Sequence, residues 1–323
     1  MKIISHIATR LLFLVLTASL SIAESAIGPA PTVASASSGE DYSSASLTGS
    51  QLHPDPAELV ESTEEPGYTR EWIAVQWRPK DLIYLFVVRP AKEKNPPVAI
   101  YLYGFPSETD IFRDDDWCAR VTAGGYAAVG FVPAFTGHRY HDLSVKEWFV
   151  SELQESLAKS AHDVQMVLNY LATRGDVDMD RVGIFGEGAG GTIAVMAASV
   201  DSRIKAVDLF NPWGDWPVWM AKSGMIPDEE RASYVKPEFL QKIAAFDPVA
   251  VLPALKTPHI RLIQLNDDFP STPEEAKKKM EAALPAAAEN RRFASGHDFD
   301  RSVAAGERVS NWLKTQLKPA SKR

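Results

Sequence analysis

The sequence predicts an α/β fold: a mostly parallel twisted sheet, opened by an antiparallel hairpin, with helices on both faces. Three observations predict it. Two strand-like runs, "EWIAVQW" and "DLIYLFVV", are joined by the turn-forming Arg78-Pro79-Lys80-Asp81. The continuous apolar run "VAIYLYGF" follows, the pattern of a strand buried on both faces. Strand and helix patterns then alternate to the end of the chain, as repeated β-α units require.

The remaining elements follow in order. "WCARVTAGG" is helical and leads into the strand "YAAVGFV". Between Val145 and Thr173, Phe149, Leu153, Leu157, Ala161, Val164, Leu168 and Leu171 recur in steps of three and four, which marks one buried helical stripe. The strand "RVGIFG", the helix "GTIAVMAASV" and the strand "IKAVDLF" come next. Residues Asn211–Val251 are irregular and Trp-rich, the composition of a short cap. The strand "HIRLIQL", the helix "PEEAKKKMEAAL", the strand "RRFAS" and one last helix through "VAAGERVSNWLKTQL" complete the chain.

The N-terminus reads as an export signal. Lys2 and Arg10 precede the short apolar stretch "LLFLVLTASLSIA", with cleavage expected after Ala23 and Ala26 as second choice. Residues 1–23 are thus the signal peptide, 24–52 a disordered Ser/Ala/Pro-rich linker, 53–318 the folded domain and 319–323 a tail. The location expected is secreted or periplasmic, with no membrane span after processing, because the apolar run is short. Loss of Lys2 and Arg10 takes the net charge from -8 to about -10, which argues against nucleic acid as partner. Cys118 stands alone, so no intrachain disulfide forms.

In parallel sheets ligands sit at the carboxyl ends of the strands, and four strand ends carry the informative residues. Gly186-Glu187-Gly188-Ala189-Gly190 has the shape of a nucleophile elbow, G-x-S-x-G, with glycine in the serine position. Read instead as a dinucleotide loop, "GEGAGG" fits loosely and lacks an acidic ribose partner on the next strand. "YLYGFPSE" ends an earlier strand and suits an oxyanion loop. Asp267 and Asp268 follow "LIQL", 80 residues beyond the elbow when counted to Asp268, and His297 follows the last strand 29 residues later. Elbow, acid, histidine is the chain order of a hydrolase triad.

With these residues in place, "HDVQMVLNYLATRGDVDMDRVGIFGEGAGG", "YGFPSE" and "FDPVAVLPALKTPHIRLIQLNDDFP" resemble α/β-hydrolases of the dienelactone hydrolase and prolyl-oligopeptidase-like group, over nearly all of Trp72–Leu317. The resemblance implies the α/β-hydrolase fold, with Asp268 as the acid, Asp267 as its alternative, and His297 as the base. It implies Phe105 and Ala189 as the oxyanion donors and Gly188 as the nucleophile position, left without a side chain. Tyr103 stands where the family's oxyanion loop has a histidine, and "QLNDD" replaces "HGxxD".

A protein so built is expected to be a pseudoenzyme that is inactive or binds a ligand. The alternative is an ester hydrolase using water activated by His297 and Asp268, or another nucleophile. Thr192 and Cys118 read as structural, and Glu187 is set aside because adjacent elbow positions diverge. Tyr103, Trp213 and Trp216 are expected to border a pocket for a small ester-like or sugar-like molecule, although packing of the cap is the commoner role for tryptophans such as Trp213, Trp216 and Trp219. His138 and His141, beside Arg139, lack a third ligand, so no metal is expected, and no cofactor.

Overall fold

The computed structural model describes residues 39–103, 109–134, 139, 145–268, 271–303 and 308–318. The first strand, β1 (Glu58–Glu64), was not legible in the sequence; three of its seven residues are glutamates and all but one are exposed, Leu59 and Val60 included. It pairs antiparallel with β2 (Tyr68–Arg78), which pairs antiparallel with β3 (Asp81–Pro90) around the Lys80 turn, where φ is 62°. β4 (Pro97–Leu102) follows, buried at every position. Then come α1 (Asp115–Thr122), β5 (Ala127–Gly130), the long α2 (Val145–Arg174), β6 (Asp178–Glu187), α3 (Ala189–Val200) and β7 (Ile204–Phe210).

The Trp-rich section contains four short helices: α4 (Trp216–Lys222), α5 (Arg231–Tyr234), α6 (Pro237–Ile243) and α7 (Pro248–Val251). β8 (His259–Leu265), α8 (Glu274–Ala282) and β9 (Glu289–Phe293) follow. The single last helix expected from the sequence is two, α9 (Gly296–Ser302) and α10 (Val309–Gln316). Ser295 caps α9 by accepting the Asp298 N–H, which starts a helix before the expected one.

The sheet order is β1-β2-β3-β5-β4-β6-β7-β8-β9, parallel from β5 onward. After β4 the chain moves outward to β5, and after β6 it moves the other way to β7. The crevice that such a reversal opens lies beyond the carboxyl ends of β4 and β6. One face of the sheet packs on α2 and α3 through Leu102, Ile184, Leu209 and Leu262; the other carries Tyr101, Phe185, Phe112 and Trp312 beneath α1 and α10. This is the architecture that the resemblance implies.

Part of the segment expected as a linker, residues 39–52, packs on the domain. Residues 39–52 are described, and Tyr42, Ala45, Leu47 and Leu52 pack on the core. Buried charge fixes this segment. Glu40 accepts from Arg78 at 2.7 Å twice, and its carboxylate lies 2.9 Å from His162 Nδ1, while His162 Nε2 donates to the Ser44 carbonyl at 3.0 Å. Asp163, wholly buried on α2, accepts from Trp77 Nε1, Arg78 and Arg139. Composition alone gives no sign of such partners.

Candidate functional site

The turn from β6 into α3 is built by close backbone approach. A Cβ on Gly186 would lie 2.3 Å from the Gly190 carbonyl oxygen, and one on Gly190 would lie 2.2 Å from that of Leu102. Both positions therefore require glycine. Between them Gly188 has φ 53° and ψ -119°, a combination costing a side-chain-bearing residue about 1–3 kcal/mol. Its N–H donates to the Phe210 carbonyl at 2.9 Å, and its own carbonyl accepts from Gly191, Trp213 and Thr192. Ala189 opens α3. Thr192 is fully buried with its hydroxyl on the Trp213 carbonyl at 2.7 Å, which gives it a structural role.

β4 ends beside β6 and leads into Tyr103, whose half-buried ring lies 6.4 Å from Tyr101, 6.0 Å from Phe112 and 5.8 Å from Phe185. Burial pushes its hydroxyl far above the ordinary tyrosine range. Phe105, the other oxyanion donor expected, lies outside the described residues, as do His138 and His141. Arg139 belongs to the buried ion network, on Asp81 and Asp163, not to a site rim. Among the described residues no three metal-ligating side chains come together.

At the end of β8 the two acids part. Asp267 is exposed, and both its oxygens accept the Gly296 N–H at 3.1 Å. Asp268 is half-buried; its Oδ2 has no hydrogen-bond partner among the described residues. Burial raises its carboxyl to about 6, against the pull of Lys277. It lines a recess of about 280 Å³ with Lys222, Asn266, Thr272, Pro273, Glu274 and Lys277. Burial also raises Glu187, and the Asp268 charge adds to that, so these two carboxyls sense each other across β7.

His297 lies in the first turn of α9 with its ring exposed, bonded to neither Asp267 nor Asp268 among the described contacts. Phe299, one half-turn on, seats α9 against Phe210 and Phe293 at ring distances of 5.0 and 5.5 Å. Strands about 4.8 Å apart put the ends of β6 and β8 about 10 Å from each other, so elbow, acids and histidine share one edge of the sheet. Trp213, Trp216 and Trp219 are core residues rather than an open pocket wall. Trp213 donates to Ser271 Oγ and Trp216 to the Phe246 carbonyl, because a buried indole needs an acceptor. Sequence reasoning missed Asp247, which anchors this section by accepting the Asp215, Trp216 and Val249 N–H groups.

Comparisons with known proteins agree with this fold. The Dienelactone hydrolase family model matches residues 85–265. YtaP of Bacillus subtilis (strain 168), which carries a hydrolase name, is 30% identical over 165 residues, 47% of this chain and 52% of YtaP. The chain thus matches about half the length of that curated relative. Among solved structures, acetyl xylan esterase from Paenibacillus sp. R4 has a TM-score of 0.65 at 16% identity, covering 82% of this chain and 89% of the esterase. Acetyl xylan esterase 1 from Thermoanaerobacterium sp. JW/SL YS485 has a TM-score of 0.61 at 16% identity, covering 81% and 89%. Pyrococcus horikoshii acylaminoacyl peptidase has a TM-score of 0.62 at 15% identity, covering 80% of this chain and 43% of the peptidase. With an α/β-hydrolase fold and a family match over more than half its length, the chain belongs to the dienelactone hydrolase family.

Proposed function

We propose that this protein is an exported α/β-hydrolase of esterase type that has lost the covalent route and binds a small ester-like or sugar-like molecule without turning it over at enzymatic rates. One observation carries the reading: Gly188 holds the elbow's backbone conformation and has no oxygen to attack with. Acyl transfer through serine needs that oxygen as the acyl carrier, and its loss costs several powers of ten in rate. His297 and Asp268, with Asp267 as the alternative acid, are the base and acid in this reading, and Ala189 and Phe105 the oxyanion donors.

The test compares p-nitrophenyl acetate hydrolysis by the natural protein and by Gly188→Ser, with fluorophosphonate labelling of both. An acetyl ester is the first probe because two fold neighbours carry acetyl xylan esterase names. The expected result is near-background turnover and no adduct for the natural protein. Turnover at ordinary esterase rates, lost in His297→Ala, would overturn the reading.

A second reading is direct hydrolysis, favoured by the raised Asp268 carboxyl, whose Oδ2 has no hydrogen-bond partner among the described residues. There His297 takes a proton from water, and the hydroxide oxygen bonds to the ester carbon. The alkoxide then leaves, taking that proton from the imidazolium. Slow turnover without a covalent adduct, with ¹⁸O from water in the acid product, distinguishes this route. Export rests on residues 1–23 and is tested by cell fractionation and N-terminal sequencing, with Glu24 expected as the first mature residue.

A further inference from the structure

The antiparallel end of the sheet, away from β6–β9, carries a second recess. Its lining is Glu61 and Thr63 on β1, Arg70 and Trp72 on β2, Phe86 on β3, and Arg113 from the turn preceding α1. The register explains the grouping. Glu61 faces Trp72, which faces Phe86, and Thr63 faces Arg70, so five side chains project from one sheet face in two rows. Trp72 and Phe86 stack with ring centroids 5.8 Å apart and planes 12° from parallel. Arg113 lies over the indole, 4.2 Å from its centroid and 5.7 Å from that of Phe86.

Two donors in this recess lack a partner among the described residues, and a third is engaged. Arg113 is exposed and has no carboxylate within ion-pair distance among the described residues, although guanidinium groups ordinarily find one. Trp72 Nε1 is buried and has no hydrogen-bond partner among the described residues, an arrangement that native proteins seldom leave unanswered. Arg70 Nη1 donates to the Arg113 carbonyl at 2.8 Å and to Asp115 at 3.0 Å, and the Arg70 side chain also meets the Cys118 thiol. The acceptors in the lining are the exposed Glu61 carboxylate and the Thr63 hydroxyl.

We infer that this recess is a binding site for a small planar carboxylate carrying an aromatic ring. The forked Arg113 guanidinium matches carboxylate oxygens, and the half-buried Trp72 ring, stacked on Phe86, offers an aromatic edge for the ring. The volume is about 140 Å³. That is well below the roughly 300–1,000 Å³ of sites for drug-sized molecules, so a single ring with one acid group is the size admitted. Glu61 at the rim opposes the anion and so sets its affinity. The site makes no use of Gly188, Asp268 or His297, and stands whether or not the protein hydrolyses esters.

Isothermal titration of the full mature chain with benzoate, benzamide and acetate at fixed ionic strength tests it. Saturable benzoate binding is expected, at least tenfold tighter than either acetate or benzamide. Arg113→Ala should weaken benzoate at least fivefold, and Glu61→Gln should tighten it several-fold; both residues are exposed, so both variants fold. Absence of saturable benzoate binding, equal binding of benzamide, or affinities unmoved by Arg113→Ala and Glu61→Gln would each overturn the inference.

Discussion

The Asp267 carboxylate accepts the Gly296 N–H with both oxygens at 3.1 Å, tying the end of β8 to the turn that begins the histidine helix. Removing it in Asp267→Ala should cost about 1 kcal/mol, the usual worth of a hydrogen bond to an exposed charge. Amide exchange at Gly296 and His297 should quicken while β4 and β6 stay protected. Unchanged exchange at that turn would show that Phe299 packing alone seats α9.

The glycines of the elbow should rank by backbone contact, not by conformation. Gly190→Ala drives a methyl into the Leu102 carbonyl and should cost about 3 kcal/mol. Gly188→Ala must hold φ 53° and should cost about 1–2 kcal/mol. Chemical denaturation of both variants measures the order, and the reverse order would mean that the β4–β6 approach is looser than described.

Asp268 should make the protein less stable as pH rises from about 4 to 6. Its folded carboxyl titrates at about 6 against an ordinary 3.8, so the folded state holds a proton that the unfolded chain has already released. Below pH 4 both are protonated and nothing is lost. Asp268→Asn should therefore gain about 1 kcal/mol at pH 8, after allowing for the carboxyl's partial exposure, and almost nothing at pH 3.5. Thermal melts of the pair across that range give the answer, and an equal gain at both pH values would rule out titration as its source.

Asp163 should behave in the opposite sense. Burial alone pushes its carboxyl up, and Arg139 with Arg78 more than offsets that, leaving it below the ordinary carboxylate range. Its contribution is complete above the unfolded value and disappears as pH falls through the lower folded one. Asp163→Asn should cost about 3 kcal/mol at pH 7, since Arg78 and Arg139 stay buried with weaker partners. The gap between the two proteins should close in acid, and a constant gap would assign the cost to packing.

The sequence by itself determined the fold class, the strands from β2 to β9 with the helices α1, α2, α3 and α8 between them, and the chain order of the glycine-rich turn, the Asp267-Asp268 pair and His297. These are local matters of period, turn chemistry and spacing, and the glycines at 186 and 190 were readable because only glycine permits so close a strand-to-helix turn. Tertiary structure alone decided the rest. β1 carries no apolar alternation, since an edge strand with both sides wet needs none, and only its pairing with β2 reveals it. Residues 39–52 are ordered by Glu40 and Leu47 meeting His162 and Gln165 from 118 or more positions away. The adjacent Asp267 and Asp268 were indistinguishable in sequence; β9 and α8 gave one to the histidine turn and buried the other beside Lys277, because neighbouring side chains leaving a strand end point in different directions.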